Sequence, residues 1–519
     1  MHDPRTVAGL IQQTAERVPH APAIVAVDGS FLDYAELVRS GRRLGNALLG
    51  LGLEPGGRIA AWLEDSVEYV QLYVACALAG FVIVPINARY TEHEAGGLLD
   101  DSGARFLAHS SGLDDRVAAL AEREHQLTII RSGDAVRGRT SFTELIAGGS
   151  DAPHPIPSPD DLYMIGYTSG TTGSPKGAML TQGSVATLAR MNALSYRLTQ
   201  GSVAAMTGSM SFVAVVPSHI ISHFYVGGSA RLLGKWDVDS LIDTIERNRV
   251  NFTYLPSPVL SDFAAAAAVS PQRWSSLLSV LHSASKAPLT KLREVADVIG
   301  DRLIEGWGMT ENSGGLVTVT APGDVLIVPG QRDRLASIGK AVQEMQVRVI
   351  DPDGIDLVPD GETVGELIVS SPSLMVGYWN NPDATARALR DGWYHSGDLG
   401  AIDESGYVYL SERRVDLIVS GGMNVYPSEV EECILRVPGV SACAVVGLPH
   451  ARWGQSVAAA VVIQPGSGVT EAHILDTCRQ FLAGYKKPTR IKFVESLPMT
   501  TSMKVSRLLV REAMADADS

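Results

Sequence analysis

The stretch Tyr167-Thr168-Ser169-Gly170-Thr171-Thr172-Gly173-Ser174-Pro175-Lys176-Gly177 follows an apolar, strand-like run, Leu162 to Ile165. Its eleven residues hold three glycines, five Ser/Thr hydroxyls, one proline and one lysine. A turn this polar buries nothing, so folding alone does not account for it. Glycines let backbone N–H groups approach an anion, hydroxyls donate further hydrogen bonds, and one lysine adds a mobile positive charge. That is the chemistry of a polyphosphate cradle. It is not a Walker A loop, which needs Gly-Lys-Ser/Thr, because Pro175 precedes the lysine and Gly177 follows it. The alternative is a Gly/Ser/Thr-rich surface loop.

The surrounding chain bounds what such a cradle can belong to. At 519 residues it is too long for one core and is expected to form two or more domains. With 45% hydrophobic and 19% charged residues it reads as an ordinary soluble α/β protein. The formal net charge of −14 argues against a nucleic-acid partner, so an anionic ligand must be held by local positive groups and backbone dipoles. Cys76, Cys433, Cys443 and Cys478 show no CxxC spacing and are expected to be buried, reduced thiols. Met1 to Arg5 lacks the apolar core of a signal peptide. The longest apolar stretch, Leu72 to Ile86, is interrupted by Gly80 and Pro85 and too short to span a bilayer. It reads as a buried helix running into a buried strand, and the chain as cytoplasmic.

From Thr6 to about Ala108 helical and strand patterns alternate: a helix through Val7, Leu10, Ile11 and Ala15, a strand Ala23 to Val27, and a helix through Leu37, Leu44, Leu48 and Leu51. A strand Arg58 to Leu63, a helix Val67 to Leu78 and a strand Phe81 to Ile86 follow. Such alternation implies a mostly parallel sheet covered by helices. Gly112 to Pro159 is polar and reads as an irregular surface excursion. A second α/β series places helices at Gly183 to Ala193, Val238 to Asn248 and Leu289 to Ile299. Its strands lie near Val213 and Arg231, at Phe252 to Leu255 and at Arg302 to Ile304, the last leading into a loop Glu305 to Glu311. After Gly339 short alternating strands such as Gln346 to Ile350 and Glu366 to Val369 suggest a β-rich subdomain. The last hundred residues read as a smaller α+β unit: helices Ser428 to Arg436 and Ile474 to Leu482, with strands Ala442 to Val446 and Val457 to Ile463. The boundary is expected near residues 411–416, giving domains 1–412 and 413–519.

Polar constellations cluster where strands end. Glu305-Gly306-Trp307-Gly308-Met309-Thr310-Glu311 joins an indole, which can stack on a purine, to a carboxylate suited to Mg²⁺. Each is otherwise an ordinary core or surface residue. In Gly392-Trp393-Tyr394-His395-Ser396-Gly397-Asp398 an aspartate sits in a tight glycine turn, suited to a ribose diol or simply to an Asx turn. Arg413 is followed by Asp416-Leu417-Ile418-Val419-Ser420-Gly421-Gly422-Met423-Asn424-Val425-Tyr426-Pro427. Near the C-terminus stands Leu497-Pro498-Met499-Thr500-Thr501-Ser502-Met503-Lys504-Val505-Ser506-Arg507. Each motif is weak alone.

Their order, from Asp33-Tyr34-Ala35-Glu36-Leu37 to Lys504, resembles the adenylate-forming superfamily in its acyl-CoA synthetase branch, over nearly the whole chain. The resemblance implies a large N-terminal domain of two α/β subdomains plus a β-rich subdomain, then a small, mobile α+β C-terminal domain. It implies that a carboxylic acid and ATP give acyl-AMP and pyrophosphate, and that the acyl group then passes to a thiol. Carried onto this sequence, Thr168, Ser169, Gly170, Thr171, Thr172, Gly173 and Lys176 hold the β- and γ-phosphates. Lys286, Ala287, Pro288 and Glu305, Gly306, Trp307, Gly308, Met309 and Thr310 line the adenine and α-phosphate site. Glu311 binds Mg²⁺, and Asp398 and Arg413 hold the ribose. Lys504 bridges the acid's carboxylate and the α-phosphate during attack; with Glu311 and Thr310 it forms the catalytic set. Ser420, Gly421 and Gly422 guide CoA, Val415 is the hinge position, and Phe212, Val213, Gly306 and Gly314 border the acyl group.

The sequence departs from this pattern at several points. Relatives often have Pro-x-Phe-His where Val213 takes the histidine position, so a different or bulkier acid is implied. Glu412, Val415, Met423 and Met503 replace the usual residues near the hinge, the CoA segment and the catalytic-type lysine. These departures leave a second reading open, in which only the thioesterification of a supplied acyl-adenylate occurs; a non-catalytic nucleotide- or acyl-binding protein is a third. A homodimer, a partner adenylating enzyme and an acyl carrier protein stay open as partners. Fatty, aryl and polycyclic acids are all compatible.

Overall fold

The computed structural model describes residues 2–121, 127–133, 140–168, 175–284, 287–327, 332–413, 416–420, 423–450, 453–482, 484–500 and 504–515. The chain divides into two compact units, Met1–Val347 with Val369–Tyr394, and Arg348–Ile368 with His395–Ser519.

The first unit is built on two sheets. The seven-stranded one runs Thr140–Ser141, Thr128–Arg131, Phe106–His109, Arg58–Trp62, Val82–Pro85, Leu162–Thr168, Lys176–Thr181. The nine-stranded one runs Lys340–Ala341, Leu316–Val319, Leu303–Gly308, Ser279–His282, Phe252–Tyr254, Val203–Met206, Ser229–Leu232, Pro22–Val25, Phe31–Asp33. Their inner strands are parallel and buried on both faces, which is why Ile59 to Trp62 and Val82 to Val84 read as unbroken apolar runs. Helix Val67–Ala79 is buried on every side, as its uniform apolarity demands. Ser66 starts it by accepting the Tyr69 N–H, and Gly80, left-handed at φ 72, ends it.

The alternating N-terminal segment does not form one sheet, as its pattern suggested. Pro22–Val25 leaves to pair in parallel with Ser229–Leu232, two hundred residues on, while Arg58–Trp62 starts the other sheet. Gly112 to Pro159 is not irregular: it holds helices Asp114–Ala121 and Phe142–Gly148 and strands Thr128–Arg131 and Thr140–Ser141. Short elements with few apolar residues leave little periodicity to read. The strand expected near Val213 is a π-helical turn, Ala214–Ile220, with Pro217 inside it. Its β-branched residues imitate a strand, but proline has no N–H to give to a ladder. Residues 305–308, expected in a loop, are the end of strand Leu303–Gly308, because glycine at 306 and 308 admits close neighbours. A Cβ on Gly308 would lie 2.2 Å from the Gly315 carbonyl oxygen.

In the second unit Val440–His450 and Gly454–Ile463 form a long antiparallel hairpin. Helices Pro427–Ile434 and Glu471–Phe481 bury Val430, Ile434 and Ile474 against Val445 and Val457. Helix Arg507–Ala515 buries Val510 and Met514 against the alternate residues, Ala444 and Val446. The two faces follow from the two-residue period of a strand. Asp398, expected in a tight glycine turn, lies within strand Trp393–Ile402, which pairs antiparallel with Val408–Arg413. The four cysteines are free, with Cys76, Cys433 and Cys478 buried. Among the described residues no helix is long and apolar enough to cross a membrane.

Gly339 is left-handed at φ 82, and a Cβ there would fall 2.0 Å from the Val319 carbonyl carbon. Gly339→Ala should therefore destabilise the chain by at least about 2 kcal/mol, measured as a lowered urea midpoint; an unchanged midpoint would contradict this packing.

Candidate active site

The polar run that opens the sequence analysis joins strands Leu162–Thr168 and Lys176–Thr181. These pair antiparallel, with Thr168 opposite Lys176. Ser169, Gly170, Thr171, Thr172 and Gly173 lie outside the described residues, as do Lys286, Val415, Gly421 and Gly422; the Arg413 side chain does too. Thr168 and Lys176 fix the two ends of the hairpin.

Lys176 is directed at one tyrosine. Its ammonium lies 5.5 Å from the centroid of the Tyr378 ring, within cation–π range. The Tyr378 hydroxyl donates to the Glu311 carboxylate at 2.7 Å. The residues expected to hold phosphate and metal thus meet on one aromatic side chain. Glu311 lies in the 3-10 turn Thr310–Asn312 that follows strand Leu303–Gly308, and this turn is anchored to the segment that carries Tyr378. Met375 N–H donates to the Glu311 carbonyl at 2.7 Å, Ser313 Oγ to the Ser373 carbonyl at 2.7 Å, and Ser373 Oγ to Asn312 Oδ1 at 2.8 Å. Glu311 itself is buried.

Two of the four residues expected around the acyl group, Val213 and Gly314, meet. A Cβ on Gly166 would lie 2.5 Å from Val213 Cγ2 and 3.2 Å from Thr310 Cγ2, and one on Gly314 would meet the Val213 carbonyl carbon at 2.6 Å. Val213 and Thr310 therefore stand over glycine backbone, and Gly314 is left-handed at φ 79. Phe212 adjoins Val213. Gly306 faces elsewhere: its missing side chain makes room for Leu316, 2.8 Å from a notional Cβ. Trp307, Ala287 and Glu305 are buried.

At the ends of adjacent parallel strands, Glu305 Oε2 lies 2.6 Å from His282 Nδ1, and His282 Nε2 lies 2.8 Å from Ser257 Oγ. Burial pushes the Glu305 carboxyl above its usual range, and His282 beside it pulls the other way. This pair positions the residue before Gly306. In the second unit Asp398 and Arg413 are register partners on neighbouring strands. Asp398 is buried, and its N–H donates to Ser396 Oγ at 3.0 Å. Ser420 pairs with Met423 and Gly454. Lys504 closes a turn, with Thr500 N–H donating to its carbonyl at 2.6 Å.

Tyr378, His282 and Ser257 were not found from sequence. Gly377-Tyr378-Trp379-Asn380-Asn381 carries a turn-and-aromatic signal, but no spacing rule ties Tyr378 to a carboxylate 67 residues away. Nor did sequence show what His219 and His223 do. Both are buried on the π-helical turn and the helix after it, and His223 Nδ1 donates to the His219 carbonyl at 2.8 Å. Burial depresses His219 to about 3 and His223 to about 4, so both rings are neutral at pH 7.

A model described as "AMP-binding enzyme" matches residues 11–379, and one described as "AMP-binding enzyme C-terminal domain" matches 429–504. Among curated proteins, a feruloyl-CoA synthase of an Amycolatopsis species is 35% identical over 497 residues, covering 96% of each chain. A fatty acid–[acyl-carrier-protein] ligase, ScoC, of Streptomyces coeruleorubidus is 31% identical over 99% of this chain and 97% of its own. Among solved structures, ATP-bound MatB from Rhodopseudomonas palustris superposes with a TM-score of 0.89 at 31% identity, covering 99% of this chain and all of that one.

The unfolded chain protonates its histidines near 6.5, whereas the native state keeps His219 and His223 neutral until lower pH. The unfolded state thus binds more protons, and stability rises with pH across this window. Going from pH 6.5 to 5 should cost about 2 kcal/mol for each ring. Urea unfolding at the two pH values should show the loss, and His219→Leu should remove about half of it. An identical pH slope in the variant would overturn the assignment.

Proposed function

The chain belongs to the AMP-binding enzyme family, in its AMP-forming acid–CoA ligase branch, and from that premise we propose that it runs both half-reactions of such a ligase. An acid carboxylate oxygen attacks the α-phosphorus of ATP, and pyrophosphate leaves. The CoA sulfur then attacks the acyl carbonyl and AMP leaves. The carrying observation is the convergence of Lys176 and Glu311 on Tyr378. A cation and a carboxylate share one aromatic partner next to the paired strand ends Thr168 and Lys176, and a metal–polyphosphate needs both.

Within this reading the hairpin's backbone and hydroxyls, with Lys176, hold the β- and γ-phosphates, Asp398 and Arg413 hold the ribose, and Lys286, Ala287 and Pro288 border the nucleotide. Lys504 offsets the negative charge that gathers where acid and α-phosphate meet. These groups act by positioning and by electrostatic stabilisation. The donor set at Glu311 fits Mg²⁺: among the described residues no cluster of three or more His, Cys, Asp or Glu side chains could hold a metal, and Mg²⁺ suits one carboxylate plus substrate phosphates. Bound there, Mg²⁺ would neutralise phosphate charge. Gly166, Val213, Thr310 and Gly314 are uncharged, which favours a neutral acyl chain over a second carboxylate. After adenylation the C-terminal domain would turn about 411–416, withdrawing Lys504 and presenting Ser420, Gly421 and Gly422 to the CoA arm.

A carrier-protein thiol is the second reading, supported by the likeness to ScoC. A partner enzyme that supplies acyl-adenylate is not needed where Lys176, Glu311 and Lys504 are all kept. Acid-dependent ATP–pyrophosphate exchange and CoA-dependent AMP release are expected, with Lys504→Ala lowering exchange on the order of 10²- to 10³-fold. Exchange without any CoA thioester, together with loading of an acyl carrier protein, would favour the second reading instead.

A further inference from the structure

We propose that Arg507 is a positioning residue for the adenylation half-reaction: it fixes the turn that presents Lys504 by tying it to three separate parts of the second unit. The inference rests on the role assigned to Lys504 above.

Arg507 follows Lys504 by three residues and begins helix Arg507–Ala515. Its Nη1 donates to Glu431 Oε1 at 2.5 Å and to the Val445 carbonyl at 2.7 Å, and its Nη2 donates to Glu431 Oε2 at 3.1 Å. Its Nε lies 3.9 Å from Asp416 Oδ2. Glu431 is itself fixed, because its Oε1 also accepts the Val445 N–H at 2.7 Å. Val445 lies in the edge strand Val440–His450, so Glu431 and Arg507 together occupy the N–H and carbonyl that a neighbouring strand would take. A two-oxygen guanidinium–carboxylate pair constrains orientation as well as distance. Arg507 and Glu431 are both about four-fifths shielded from solvent, which sets this pair apart from the weak ion pairs of open surfaces.

Before Arg507, residues on either side of 501–503 are bonded to each other. Thr500 N–H donates to the Lys504 carbonyl at 2.6 Å, Lys504 N–H to Thr500 Oγ1 at 3.2 Å, and Ser506 N–H to the Pro498 carbonyl at 2.9 Å. Met499 and Val505 form a bridge. These bonds tie residues 498–500 to residues 504–506. Arg507 ties this segment to helix Pro427–Ile434, to the edge strand and to Asp416, which directly follows Val415, the expected hinge position. Lys504 is only three residues from this anchor, and misplacement of a reacting group by about 1 Å can cost on the order of 10²-fold in rate.

The chemistry assigned to Lys504 belongs to adenylation alone, so loss of Arg507 should split the two half-reactions. Arg507→Ala is expected to lower acid-dependent ATP–pyrophosphate exchange on the order of 10- to 100-fold, while CoA-dependent consumption of supplied acyl-AMP stays within about twofold of the unchanged chain. Arg507→Lys keeps the charge without the fork and should recover part of the exchange; it also serves if the alanine variant folds poorly, with the same split expected. Equal losses in both half-reactions, or exchange unaffected by either substitution, would overturn the positioning role. If the unchanged chain consumes acyl-AMP but shows no exchange with any acid, the adenylation reading beneath the inference fails instead.

Discussion

The hydrogen bond from the Tyr378 hydroxyl to the Glu311 carboxylate is the constraint on which the rest of the site hangs. A carboxylate this buried needs hydrogen-bond partners to offset its lost hydration. Tyr378 supplies one donor and holds the Lys176 ammonium over its ring. The carboxylate comes from the 3-10 turn after a strand of the nine-stranded sheet, and the ammonium from the start of a strand of the seven-stranded one. One aromatic side chain, carried on a third segment, keeps their separation fixed. The bonds from Met375, Ser313 and Ser373 keep that segment from shifting.

Around this core, glycine appears where backbone must pass close to backbone or side chain. Gly166 and Gly314 let Val213 and Thr310 approach, and Gly308 admits the carbonyl of Gly315. Much of what reads in the sequence as ligand-binding glycine is therefore also a packing requirement. Gly306 shows this best: its vacancy is filled by Leu316, not left for a substrate. Val213 is held where the π-helical turn begins.

Elements bounded by strong local signals were legible. Helix Val238–Asn248 begins after the Asp237 cap and helix Leu289–Ile299 ends at Gly300, and both were read to the residue. Strand Gln346–Ile350 was too. The readings failed where local and long-range preferences diverge. Val213 to Val216 has strand-like branching, yet Pro217 and the tertiary packing make a π-helical turn. Glu305 to Gly308 looks like a glycine loop until the antiparallel partner Leu316–Val319 is seen beside it. Partition of the N-terminal strands between two sheets left no mark on the sequence, because either sheet would bury the same apolar runs. The site was legible as a set of motifs in order, but the groups that join them were not. Tyr378, His282 and Ser257 act through contacts across the fold, and a residue type alone does not reveal such a partner.

In the proposed reaction Glu311 is the carboxylate that receives Mg²⁺ with the polyphosphate, held in place by Tyr378. The most direct measurement is the Mg²⁺ dependence of ATP–pyrophosphate exchange in Glu311→Gln beside the unchanged chain. The substitution keeps size and a hydrogen-bond acceptor but removes the charge. The account predicts that exchange falls on the order of 10²-fold and that the Mg²⁺ needed for half-maximal exchange rises. Exchange with the same rate and the same Mg²⁺ dependence in both proteins would contradict it.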